Sequence, residues 1–375
     1  MLGGGNLQIL LTVTLPLLMP AILAASLLVF VFCFTSFGVV LILGGPHLAT
    51  VEVEIYRQAV HLFNLPLAAA LSLVQIVFTF GLTWLYTGFE RRCSVSLMPE
   101  SAGRITRKTR SFKSKLLVRG NLFFIAVLLG TPLVALVLRS IITESGPALT
   151  YYMGLLENRA QSILYVSPLA AMVNSLGLAL AASFIALILG WLSAEFLSHQ
   201  SGRYTGFWDP IFMLPLSTSA VTLGFGFIIA LDEPPLNLRM SPLLPAFAHA
   251  LVALPFVIRV LLPARRGIPH ILRESAGVLG ASPGRVWRTV DWPILSRALL
   301  VATVFSFAIS MDEFGATVFV ARPQSPTIPL AIYRYLSVPG GMNYGQAMAM
   351  SCVLMFTTAA GFLFLEKIRT TAGDF

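Results

Sequence analysis

The residues best placed to do chemistry are Glu274-Ser275-Ala276-Gly277-Val278-Leu279-Gly280, followed by Val290-Asp291-Trp292-Pro293. They occupy residues 265–297, the only long polar, basic segment between apolar runs of the C-terminal half. Glu274 opens a short helix, and Ser275 and Ala276 keep one face thin enough for close approach. Gly280 permits a backbone conformation that other residues resist. An acidic helix start, a small-residue face, a glycine turn and a return to apolar sequence at Pro293 together suit docking. Glu274 is expected to accept from the helix N-terminus or to pair with Arg273, Arg285 or Arg288. A second group is Asp312 and Glu313, carboxylates toward the outer third of one apolar run, with Arg259 inside the preceding run. Charges at membrane depth are costly and mark functional candidates. Three readings stand for the acidic pair: lining a pathway for cations, pairing with Arg259 to fix helix packing, or lying shallow enough to be wet.

These residues need apolar helices to hold them. The chain of 375 residues is 57% hydrophobic and 11% charged, with mean hydropathy +0.83. A soluble domain carries roughly 25% charged residues, so this composition belongs to an integral membrane protein. Spanning a core ~30 Å thick takes ~20 apolar residues. Eight such runs are expected, near 20–43, 64–86, 117–138, 170–196, 207–231, 243–262, 298–320 and 344–365. Their Gly, Ala, Ser and Pro content suits packed helices, an all-α polytopic fold of about eight transmembrane helices. The net charge of +9 raises the question of nucleic acid, but its distribution answers it. With the first helix running outward, eighteen of the 25 Lys and Arg fall on the cytoplasmic side, six outside, and Arg259 within a span. That asymmetry is the positive-inside pattern, with both termini cytoplasmic, and no nucleic-acid partner is required. Cys33, Cys93 and Cys352 show no metal spacing, and the five His do not cluster, so no metal site is expected. Glu195 and His199, at the cytoplasmic end of one span, are expected to be solvated.

Shifted by 277 residues, the chain matches itself without a gap. Thr12-Val13-x-x-Pro16 falls on Thr289-Val290-x-x-Pro293, and Phe37-Gly38 on Phe314-Gly315. Pro46 falls on Pro323, Thr50 on Thr327, and Ile55-Tyr56-Arg57 on Ile332-Tyr333-Arg334. Aligned Pro, Phe-Gly and Ile-Tyr-Arg in one register make the first two helices a copy of the last two. The shift carries Gly280 to Gly3 and Glu274 to a position before Met1. Gly3 and Pro16 are therefore read as the remnant of a first docking loop. The expected organisation is residues 1–86 as the last two helices of a first half, 87–116 as a basic cytoplasmic linker, and 117–375 as a complete six-helix second half. A late start codon, a broken gene or a separately encoded front fragment would each produce that organisation.

The 274–293 stretch resembles the EAA loop of the permease subunits of type I ATP-binding-cassette importers. That loop reads Glu-Ala-Ala, three residues, Gly, nine residues, Ile-x-Leu-Pro; here Ser, Val and Trp replace one Ala, the Ile and the Leu. The Phe-Gly after an acidic pair and the later Thr and Ile-Tyr-Arg are similar to fused two-half permeases for iron(III) or thiamine. Glu313-Phe314-Gly315-Ala316-Thr317 also resembles molybdate and sulfate permeases, which are usually unfused. The resemblance implies a transport subunit of a bacterial inner membrane, not an enzyme and with no cofactor of its own. It implies two cytoplasmic ATPase subunits beneath the coupling loops and an extracytoplasmic binding protein. No GxxxxGK[ST] phosphate loop occurs in the chain, so ATP is expected to be used by the partner. Glu274, Ser275, Ala276, Gly277, Gly280 and Pro293 are the residues carried over as ATPase-coupling. An ion-coupled secondary transporter, which also uses repeats and midplane charges, is the alternative class.

Overall fold

A computed structural model describes residues 6–45, 47–93, 112–143, 146–156, 167–199, 205–231, 234, 238 and 241–372. Gly3, Pro46 and most of the 87–116 linker lie outside the described residues. Six described helices are long and apolar enough to cross a membrane: Leu65–Leu85, Phe112–Ile141, Pro168–His199, Leu243–Arg266, Pro283–Asp312 and Gly341–Phe364. A seventh is reached if Leu10–Met19 and Ala21–Phe34, bent by 50°, form one span.

Two of the eight expected runs are interrupted. The run near 207–231 is three short helices, Thr205–Phe212, Leu214–Ser217 and Ala220–Leu231. Pro215 brings no backbone N–H, Thr218 is extended, and the Ser219 hydroxyl accepts from the Thr222 N–H at 3.1 Å to start a new helix. The first run stops at Phe34 and resumes as a separate helix, Gly38–Leu43.

The packing centres on Leu243–Arg266, of which more is buried than of the other five. It packs between Pro168–His199 and Trp292–Asp312. Ala179, Ala182, Ala186, Gly190 and Ala194 make the contact face of Pro168–His199 nearly flat, so the backbones approach closely. Gly190 touches Val257 so tightly that a Cβ would collide with it. Phe112–Ile141 buries almost nothing and presents its apolar surface outward.

The shift of 277 positions relates whole elements as well as residues. The π-helical turn Leu10–Thr14 recurs as Trp287–Asp291, and Leu15–Phe34 as Trp292–Asp312. Pro16 and Pro293 occupy the same first-turn position, where a missing N–H costs nothing. Thr50 and Thr327 are both extended residues ahead of a helix, at φ −81° and −92°. The copies meet face to face: the Phe37 and Phe314 rings stack at 5.4 Å. Each Phe also packs on the Tyr of its own copy, Tyr56 at 5.5 Å and Tyr333 at 5.4 Å. Arg57 stays exposed and pairs locally with Glu54.

Candidate functional site

Two breaks in the helical chain face each other. One is Thr218-Ser219, ahead of Ala220–Leu231. The other is Glu313-Phe314-Gly315-Ala316, between Trp292–Asp312 and Thr317–Val320. Glu313 is extended, and its Oε1 accepts from the Ala316 N–H at 2.7 Å, so its carboxylate starts the second short helix. A Cβ on Gly224 would lie 2.8 Å from the Ala316 backbone, and one on Gly315 would lie 3.1 Å from Ala220. The breaks are therefore locked backbone to backbone. His249, fully buried on Leu243–Arg266, holds the second break from behind. Its ring nitrogens sit 2.8 Å from Ser310 Oγ and 2.7 Å from Thr317 Oγ1.

Beside these breaks lies a cavity of about 880 Å³. Its polar lining includes Asp312, Glu313, Ser219, Thr218 and Thr35, and its aromatic wall comprises Phe32, Phe256, Phe305 and Phe362. Irregular backbone at membrane depth is tolerated where it lines a cavity, which accounts for the position of both breaks. Thr35 is the repeat mate of Asp312, so the two copies contribute the same register, with charge on one side only. Asp312 is exposed to the cavity; Glu313 is buried at its edge.

The pairing of Asp312 or Glu313 with Arg259 is corrected. Neither carboxylate forms an ion pair within 4 Å among the described residues, and Arg259, half-buried on Leu243–Arg266, does not line the cavity. The helix dipole and the Ala316 N–H satisfy Glu313 instead.

A third carboxylate near this region escaped sequence reading. Glu52, on Val51–Tyr56, is only 1% exposed and accepts from Gln75 Nε2 at 2.9 Å. Burial pushes its carboxyl up to about 8, against hydrogen bonds from Gln75 and Ser219 that lower it, with the nearby Glu313 raising it further. The sequence neighbours of Glu52 give no sign of that burial, which comes from Gln75 on the next helix and from Ser219 at the facing break.

The expected docking segment forms a helix, His270–Val278, none of whose residues is buried. Gly280 has φ +79°, the left-handed conformation its residue type favours. Val278 is 88% exposed and Leu279 86%, with Ile271 also outward. Ser275 and Gly277 lie open on the same helix, and Ala276 is half-buried. Glu274 is exposed and forms no ion pair among the described residues; its expected partner Arg273 binds Asp291 instead, Nε to Oδ1 at 2.8 Å. Asp291 wins because it lies buried at the close of the π-helical turn, where a carboxylate needs a cation. Glu195, expected to be solvated, is also paired. Arg265 donates to it from Nε at 2.7 Å and from Nη2 at 2.8 Å. A partner 70 positions away leaves no local signal in sequence. His199 is exposed as expected.

No protein-family model matches the chain. The thiamine transport system permease protein ThiP of Escherichia coli (strain K12) is 28% identical over 345 residues, covering 88% of this chain and 60% of that protein. ThiP of Haemophilus influenzae is 25% identical over 343 residues, covering 91% and 61%. The putative 2-aminoethylphosphonate transport system permease protein PhnV of Salmonella paratyphi A is 30% identical over 205 residues, covering 54% of this chain and 76% of that protein. The chain belongs to the permease subunits of ABC importers. Among solved structures, a bacterial ABC transporter involved in the import of the acidic polysaccharide alginate superposes with TM-score 0.53. It is 17% identical and covers 71% of this chain and 96% of that one, a likeness of fold. This permease spans about 60% of the length of the thiamine permeases it matches. It is thus an all-α, multi-pass membrane protein of the importer class, as the loop and the hydropathy led one to expect.

Proposed function

We propose that this permease carries thiamine from an extracytoplasmic binding protein to the cytoplasm, driven by two cytoplasmic ATPase subunits. The observation that carries the reading is the cavity between the two helix breaks. Asp312 supplies negative charge, four Phe rings supply π faces, and no Lys or Arg lines it among the described residues. An aromatic organic cation is favoured there by Coulomb attraction and by cation–π contact. Two thiamine permeases match 88% and 91% of the chain. A phosphonate anion would meet Asp312 with like charge, which disfavours the aminoethylphosphonate reading. Iron(III), expected beside thiamine from the sequence, has no comparable support from the relatives described.

In this reading Glu274–Gly280 is the ATPase-coupling helix, and Asp312 lines the pathway, with Glu313 shaping it. Residues 1–86 are the closing helices of a first half, 87–116 a cytoplasmic linker and 117–375 the second half, with both termini on the cytoplasmic side. The test is uptake of labelled thiamine into proteoliposomes holding the permease, its ATPase and its binding protein. ATP-dependent thiamine uptake that Asp312→Asn cuts by about tenfold supports the reading. Uptake of 2-aminoethylphosphonate in place of thiamine would overturn it.

A further inference from the structure

The His270–Val278 helix buries none of its residues, and its ends are joined to the spans only through turns at Gly267 and Gly280. A load applied to such a helix would swivel it on those turns unless something ties it across. Among the described residues, one side-chain hydrogen bond makes that tie: Arg273 donates from Nε to Asp291 Oδ1 at 2.8 Å. Asp291 is buried at the entry of the next span. It also lies 4.0 Å from Arg265 Nη1, and Arg265 grips Glu195 with two hydrogen bonds. Arg266 adds a bond from Nη2 to the Leu197 carbonyl at 3.1 Å. The chain of charges thus runs from the loop helix to the start of one span and to the ends of two others, Leu243–Arg266 and Pro168–His199.

We propose that Arg273, Asp291, Arg265 and Glu195 form a strut of positioning residues that transmits movement of the loop helix to all three spans. This rests on the reading that the helix docks the ATPase. Bidentate and charge-assisted bonds resist both stretch and rotation, which single van der Waals contacts do not. Asp291 corresponds to Thr14, whose hydroxyl donates to the Ile9 carbonyl of its own helix at 3.4 Å and ties nothing across.

The experiment uses the assembled complex in proteoliposomes, with Arg273→Gln, Asp291→Asn and the two combined. Three quantities are read: ATPase retained on the permease, ATP hydrolysed, and substrate taken up per ATP. Retention is expected to be unchanged, since Val278 and Leu279 are untouched. Uptake per ATP is expected to fall by about tenfold in each single variant and no further in the double, the behaviour of two residues in one link. Arg273→Lys, which keeps the charge but not the Nε donor, is expected to regain part of the ratio. Uptake per ATP within about twofold of the parent in both single variants overturns the strut. Loss of the ATPase from Arg273→Gln overturns it too, because the residue would then serve docking. If the parent complex itself seats no ATPase at this loop, the docking reading falls first and the strut with it.

Discussion

Replacing Leu279 with alanine separates docking from folding. Leu279 is 86% exposed, so in the free permease its side chain contributes little burial, and stability should change by no more than about 0.5 kcal/mol. Covered by a partner, the same side chain would leave water almost completely. Leu to Ala removes three carbons from that contact; at ~0.8 kcal/mol per buried methylene, roughly 2 kcal/mol of association is lost. Since 1.4 kcal/mol is about tenfold, the dissociation constant should rise about thirtyfold. The adjacent Val278→Ala should act in the same direction, and the pair need not add. The assay titrates ATPase onto permease held in nanodiscs, with a thermal midpoint taken on each variant. Leu128→Ala, equally apolar and 60% exposed but on the outward-facing Phe112–Ile141 helix, is the control and should leave affinity unchanged. A parental affinity for Leu279→Ala, with a parental midpoint, would refute the reasoning.

Three further outcomes follow from the packing. Gly224→Ala should cost about 1–3 kcal/mol, because its Cβ would press on the Ala316 backbone. Gly226→Ala, with open space around it, should be near neutral; denaturation in detergent compares them. Gly280→Ala should cost about 1–2 kcal/mol through its φ of +79°, lowering the thermal midpoint while leaving the loop sequence otherwise intact. Glu52 makes stability depend on pH. Its folded value of about 8 lies above its ordinary 4.5, so the folded state holds the proton more tightly. That contribution is complete below pH 4.5 and lost as pH rises through 8, with a slope of at most ~1.4 kcal/mol per pH unit. The midpoint should fall between pH 6 and 9 in the parent and stay flatter in Glu52→Gln; equal slopes would remove Glu52 from the account.

Much of this arrangement was legible in the sequence, and what was not has physical causes. The left-handed glycine of the 270–280 loop could be read because a residue type without a side chain marks such a turn. Gly280 is left-handed as expected, whereas the outward Val278 and Leu279 carried no signal of their own in the sequence. The repeat could be read because Phe-Gly and Ile-Tyr-Arg are rare in apolar helices, and the π-helical turns before Pro16 and Pro293 recur with it. The broken run near 207–231 was misread because hydropathy averages over a window and does not register Pro215 or the Ser219 cap. Pairings across 70 positions, such as Glu195 with Arg265, depend on which helix ends the fold gathers together. The same holds for Asp291, which took Arg273 from Glu274 by being the buried carboxylate.

In the proposed function an ATPase grips the His270–Gly280 loop from the cytoplasm. A photo-crosslinking amino acid at Val278, in the assembled complex within cell membranes, tests it directly. The account predicts a covalent adduct with the ATPase, and no labelling of a cysteine placed at the same position by an impermeant reagent added outside intact cells. Labelling from outside, or an adduct-free permease in a complex that still hydrolyses ATP, would contradict it.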